Sequence, residues 1–226
     1  MVIIPAILLT GGLIAAFVMA PGSVLPIIGL ALAPAIAVAS LLPLRGRELR
    51  RVKLPVWGMV LAHFGIAVSL FGMASESAFS SERLVAVNVG ESAKVGPWDI
   101  RLASVKPVAG PNWTAMEGDL QARYKGAAAL SLGPQSRSFW APVQQTNESA
   151  LLTRWNGQLY TVLGEQTEDG RWQLRLWWKP FVPLIWLGGA LVALGGMLAL
   201  LGRVASDLRR RIATRKIVWR RERQGR

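Results

Sequence analysis

The sequence predicts a membrane protein with about four transmembrane α-helices and a small extracytoplasmic all-β domain, sandwich or barrel, inserted between the third and fourth. Three observations lead there. The 226 residues are 52% hydrophobic with a mean hydropathy of +0.35, too apolar for an ordinary soluble domain. Four runs approach the roughly 20 apolar residues that a spanning helix needs. The formal net charge of +13 is clustered beside those runs, which is how membrane proteins fix their orientation.

The first run, Val2–Ala20, has no basic residue ahead of it and reads as a retained helix, not a cleaved secretory signal. Pro21-Gly22-Ser23 supplies a tight turn. The second run, Val24–Leu44, contains Pro26, Pro34 and Pro43, so a kink is expected near Pro34. A basic loop follows at 45–53, with Arg45, Arg47, Arg50, Arg51 and Lys53. The third run is Pro55–Ala74, so residues 1–74 hold three helices and the basic loop. The fourth span covers 181–202, its apolar run being Phe181–Leu201, and the tail 203–226 carries ten Lys/Arg.

Basic clusters stay cytoplasmic, so both termini are expected inside and residues 75–180 outside. Trp57 at one interface and Trp177 and Trp178 at the other stand where aromatic anchors belong. Residues 75–180 hold the other eleven Lys/Arg against ten Asp/Glu. A nearly balanced outer segment and basic flanks fit a membrane protein better than a nucleic-acid binder. The tail, with Arg209-Arg210-Arg211 and Arg220-Arg221, lies directly after a span. There it favours anionic lipid headgroups over nucleic acid, at about 1 kcal/mol per basic residue. Leu208, Ile212 and Trp219 give it an apolar edge.

The outer segment reads as β structure. LVAVNV (84–89), AAALSL (127–132), LYTVL (159–163) and WQLRLWW (172–178) are short strand-like runs. Turn signals separate them: Val95-Gly96-Pro97, Ala109-Gly110-Pro111-Asn112, Trp155-Asn156-Gly157 and Glu168-Asp169-Gly170. Alternation puts Trp172, Leu174, Leu176 and Trp178 on one face.

Several chemistries are excluded. Without cysteine there is no disulfide, thiolate nucleophile or iron–sulfur cluster. One histidine inside an apolar run leaves the outer segment no Ser-His-Asp triad and no His-based zinc site. No phosphate-cradling glycine motif occurs. Glu117 and Asp119 are two apart and are expected to be solvated, not a catalytic pair. No catalytic residue is assigned.

That histidine is His63, in GMVLAHFGIAV (58–68). On a helix advancing about 100° per residue, Gly58, Ala62, Gly65, Ser69 and Gly72 form one stripe where a second helix can approach closely. His63 points about 140° away from that stripe, beside Met59, Ile66, Ala67 and Leu70. An unpaired imidazole in hydrocarbon costs several kcal/mol, so something must satisfy it. An interhelical hydrogen bond would do so, at around 0.6 kcal/mol. So would a metal: an apolar, Met- and Leu-lined face suits the axial position of a haem. Both readings stand on the residues alone. A bis-histidine haem would need its second imidazole from another polypeptide or a second copy.

Four pieces carry a resemblance to a known family: WGMVLAHFGIAV (57–68), GPNWTAMEGDL (110–120), LYTVLGE (159–165) and RWQLRLWWKPFVPLIWLGGALVALGGMLAL (171–200). In this order and spacing, over roughly residues 55–202, the chain resembles the C-terminal part of the CcmF family, membrane subunits of the cytochrome c maturation haem lyase in the bacterial inner membrane. The resemblance implies that His63 is one of two transmembrane axial ligands of a b-type haem, the second histidine coming from a partner chain. It implies as partners a complementary histidine-bearing membrane subunit, a haem chaperone, apocytochrome-presenting subunits and apocytochrome c. The β domain would dock them.

The chain also departs from the family. A tryptophan-rich haem-handling loop with its flanking histidines, and the other transmembrane histidine, are absent. Gly133-Pro134-Gln135-Ser136-Arg137 replaces a common Pro-Glu-Lys-Arg sequence, and Gln158 stands where an aspartate is usual. One product of a split gene fits these departures, supported by the intact His63 and Lys179-Pro180-Phe181. So does a truncated relative. The rival function is a non-catalytic membrane scaffold without haem.

Overall fold

The computed structural model describes residues 3–19 and 24–224; the Pro21-Gly22-Ser23 turn lies outside the described residues. The chain divides into two compact units, one of residues 1–74 with 184–226 and one of residues 75–183.

The first unit is helical. α1 is Ile3–Met19, α2 Val24–Leu41, α3 begins at Leu54 and α4 runs over Val182–Gln224. Short 3₁₀ turns at Leu42–Leu44 and Leu49–Arg51 shape the loop between α2 and α3. Three stretches, Val24–Leu44, Leu54–Phe79 and Val182–Arg210, are long and apolar enough to cross a bilayer. α1 is apolar too, but its 17 residues sit at the lower end of what a span needs. Small residues bring the helices together. A Cβ built on Gly12 of α1 would lie 2.9 Å from Ala31 Cα of α2, and one on Gly29 would lie 2.7 Å from Ala74 Cβ of α3.

Two boundaries differ from the sequence expectation. α3 does not stop at Ala74 but ends at Phe79, because Ser75–Phe79 contains neither proline nor glycine to break it. The basic tail does not leave the fourth helix at Leu201; α4 continues to Gln224, through a run rich in arginine, a good helix former, and free of proline. Leu208 and Ile212 are exposed on it.

The second unit is a sandwich, not a barrel. Its ten strands are β1 Ser81–Val87, β2 Ser92–Val95, β3 Trp98–Ala109, β4 Trp113–Tyr124, β5 Leu130–Leu132, β6 Gln135–Trp140, β7 Val143–Glu148, β8 Ala150–Arg154, β9 Gly157–Gln166 and β10 Trp172–Pro180. One sheet has the order β1-β10-β9-β8; the other has β2-β3-β4-β6-β7, with β5 also paired to β4. Both sheets send alternate apolar side chains into one core: Ile100, Leu102, Leu120 and Leu132 from one, Leu159, Leu163, Leu174 and Leu176 from the other. This is the period-2 burial that a strand imposes.

The predicted face of β10 is the core face, with Leu174 and Leu176 fully buried. That placement corrects the aromatic-anchor expectation for Trp178, whereas Trp177 is half-buried on the opposite face of the strand. Trp178 is only 7% exposed, its ring packed against Trp98 and Tyr124 at centroid distances of 6.2 and 6.3 Å. Trp177 lies edge-on to Tyr160 at 4.9 Å with the Arg175 guanidinium 4.5 Å above it. Core packing outcompetes an interfacial role, since a buried indole gains more than a half-wet one. Gly96, at φ +53°, makes room for Trp178: a Cβ there would sit 2.6 Å from the ring.

Candidate functional site

His63 sits on α3, and the two faces of that helix are used differently. The small-residue stripe packs against α4. A Cβ on Gly58 would lie 2.5 Å from Ala199 N and from Gly195 O, and one on Gly65 would lie 2.7 Å from Gly188 O. Ser69 Oγ donates to Ile185 O at 3.0 Å. The partner surface on α4 repeats every seven residues, at Gly188, Gly195 and Gly202. The seven-residue spacing of these glycines is itself a signal in the sequence for this packing face.

Among the described residues nothing covers the histidine face. His63 is exposed, and so are Met59 at 41% and Ile66 at 46%. Ala67 does not belong there: it is 2% exposed and borders an apolar hollow with Ala33, Pro34 and Ala37 of α2. At 40° from His63, a one-carbon side chain falls on the packed side of the boundary.

The imidazole is oriented from within its own helix. Its Nδ1 lies 2.8 Å from Met59 O. A carbonyl only accepts, so the proton is on Nδ1 and the Nε2 lone pair is uncommitted. Among the described residues no group pairs with Nε2. Metal-bound histidines commonly show this pattern, one ring nitrogen donating to a backbone carbonyl while the other ligates. Among the described residues no three His, Cys, Asp or Glu side chains gather to hold a metal ion. Among the described residues the face therefore offers a single uncommitted ring nitrogen beside apolar side chains.

Glu117 and Asp119 are structural. Glu117 accepts from Gln135 Nε2 at 2.5 Å and lies 3.1 Å from Lys106 Nζ. The Gln135 hydrogen bond first, then Lys106, holds its carboxyl below the usual range. Asp119 accepts from Ser131 Oγ at 2.8 Å. The segment that departs from the family pattern is built into the same network. Pro134 is buried, Arg137 Nε donates to Gln135 Oε1 at 2.8 Å, Arg137 pairs with Glu148 at 3.2 Å, and its guanidinium lies 4.3 Å from the Trp113 ring. Gln158 Nε2 donates to Thr153 Oγ1 at 2.8 Å, tying β9 to β8.

Apolar helices with one outward imidazole, and a β-sandwich encoded between the third and fourth of them, define a helical membrane protein with an inserted β domain. Residues 78–180 match the family model described as the CcmF C-terminal beta-sandwich; the sandwich belongs to that family, and the chain is related to the C-terminal part of CcmF.

The chain is 37% identical over 154 residues to the cytochrome c-type biogenesis protein CcmF of Haemophilus influenzae, covering 68% of this chain and 24% of that protein. It is 36% identical over 176 residues to CcmF of Escherichia coli strain K12, covering 77% and 27%. The chain thus spans about a quarter of the length of these relatives. A solved structure, the cytochrome c heme lyase CcmF, superposes with a TM-score of 0.72 over 88% of this chain and 34% of that one, at 20% identity. That likeness establishes a shared fold.

Proposed function

We propose that this chain is a component of a cytochrome c haem lyase in a bacterial inner membrane, and that His63 is one axial ligand of a transmembrane b-type haem. The relatives named above are cytochrome c-type biogenesis proteins. The observation that carries the ligand assignment is the state of the imidazole: Nδ1 fixed on Met59 O at 2.8 Å, Nε2 free, on an exposed apolar face of α3.

A bound haem would supply electron transfer to the haem destined for attachment. This chain's own residues bind and orient. His63 donates a nitrogen, the Met59 carbonyl sets its tautomer and ring direction, and Met59 and Ile66 keep water from the metal. The second imidazole comes from outside these 226 residues, which hold one histidine. In this reading α1 to α4 all cross the membrane, the basic loop and tail are cytoplasmic, and the sandwich is periplasmic, where it docks the haem carrier and the apocytochrome-presenting subunits.

The test is the visible spectrum of the chain co-purified with its native neighbours. The expected result is a reduced-minus-oxidised spectrum of a six-coordinate b-type haem, lost in His63→Ala while the complex still assembles. An unchanged spectrum in that variant overturns the ligand assignment. A colourless wild-type complex that tolerates His63→Gln identifies a scaffold instead.

A further inference from the structure

We infer a dedicated binding site for an anionic phospholipid headgroup where α3 begins and α4 passes Leu201. This goes beyond a diffuse attraction of the tail to acidic membranes. It rests on the helices lying in a bilayer and is independent of the haem reading.

Two segments some 150 residues apart in sequence meet at this end of the helical unit. Gly202 allows the approach: a Cβ there would lie 2.9 Å from Pro55 N. Between them is an open groove of about 550 Å³. Lys53 stands on one wall and Arg209 and Arg210 on the other, with Leu54, Pro55 and Ala205 as an apolar floor. A second groove of about 460 Å³ lies alongside, bordered by Arg47, Glu48, Arg51, Val52 and Val56, and Lys53 is common to both.

Among the described residues no carboxylate pairs with Lys53 or Arg209. Glu48 is taken up by Arg51 at 2.8 Å, and Asp207 borders neither groove. Each groove thus presents cations above apolar carbon. A soluble anion would use the cations only. A phospholipid uses both, its phosphate between Lys53 and Arg209 and its chains along exposed Leu54, Leu200 and Leu201.

The experiment uses the full chain in detergent, titrated with phosphatidylglycerol or phosphatidylcholine, with bound lipid counted by native mass spectrometry. Wild type is expected to retain phosphatidylglycerol preferentially. Lys53→Gln with Arg209→Gln should weaken that retention about thirtyfold, from roughly a kilocalorie per basic residue. Lys53→Arg with Arg209→Lys should keep it. Arg45→Gln with Arg50→Gln removes the same charge from the basic loop outside both grooves and should have less than a tenth of that effect. Equal losses in the two Gln doubles overturn the site in favour of diffuse attraction. Displacement by equimolar inorganic phosphate overturns the lipid as its occupant. No preference for phosphatidylglycerol in wild type overturns the proposal outright.

Discussion

Glu117 shows how a residue that looks chemical becomes structural. Its carboxyl is held below the usual value of about 4.5 by Gln135 and then Lys106, and it is 24% exposed. A carboxyl lowered in the folded state adds stability that is complete above its unfolded value and vanishes as pH falls through the folded one. Glu117→Gln should therefore loosen β4 and β6 at pH 7, by about 1 kcal/mol for a partly exposed charged hydrogen bond. The gap between wild type and variant should narrow as the pH falls below the usual carboxylate value and the Glu117 carboxyl takes up its proton. Amide exchange of the full chain, the two proteins compared at each pH, checks this; a gap that persists in acid would assign the effect to packing. His63 was legible as a candidate because a lone imidazole in an apolar run must be satisfied. The tautomer was not, since any helical histidine has a carbonyl four residues back and only the rotamer shows its use. Trp178 departs from expectation for a related reason: its position along the chain suggests an interface, while the β10 alternation in the same residues points it into the core.

Helices and strands were legible to different degrees. The apolar runs of α2, α3 and α4 stand out by length alone. β9 and β10 stand out because they are central in their sheet, with neighbours on both sides and one face fully buried. β6 and β7 did not. Gln135–Trp140 is half-buried along most of its length and Val143–Glu148, on the open edge, is mostly exposed on both faces, so neither shows a clean alternation of buried and exposed residues. β3 and β4 do alternate, Trp98, Ile100 and Leu102 being buried between charged residues, but over 12 residues each they contain no short, continuous apolar run to mark them. On α4 the glycines divide by what a Cβ would meet. At Gly195 it would lie 2.5 Å from Ala62 N, a backbone atom that cannot yield cheaply, whereas at Gly196 nothing lies within 4 Å. Gly195→Ala should thus force α3 and α4 apart at a cost of about 1–3 kcal/mol. Gly196→Ala, next to it, should be neutral or stabilise by about 0.5–1 kcal/mol through lost unfolded-state freedom. Thermal unfolding of both variants in one detergent decides; equal effects would mean that the two helices do not meet at this stripe.

At the scale of the molecule, charge distribution orders everything else. Of 26 Lys/Arg, five fall in residues 45–53 and ten from 203 onward, with only three Asp/Glu among those two segments, whereas the sandwich segment 75–180 has eleven against ten. The basic clusters are harder to move across a membrane than the balanced sandwich, which supports the proposed orientation. Because the chain has no cysteine, single introduced thiols can report the side directly. Arg50→Cys lies in the basic loop, and Glu168→Cys in the turn between β9 and β10; both positions are exposed. In intact spheroplasts a membrane-impermeant maleimide should label Glu168→Cys and spare Arg50→Cys, and permeabilisation should expose both. The reverse pattern would put the sandwich in the cytoplasm. It would then lie on the wrong face to meet an apocytochrome delivered outside, and the lyase reading would fall even if His63 held a haem.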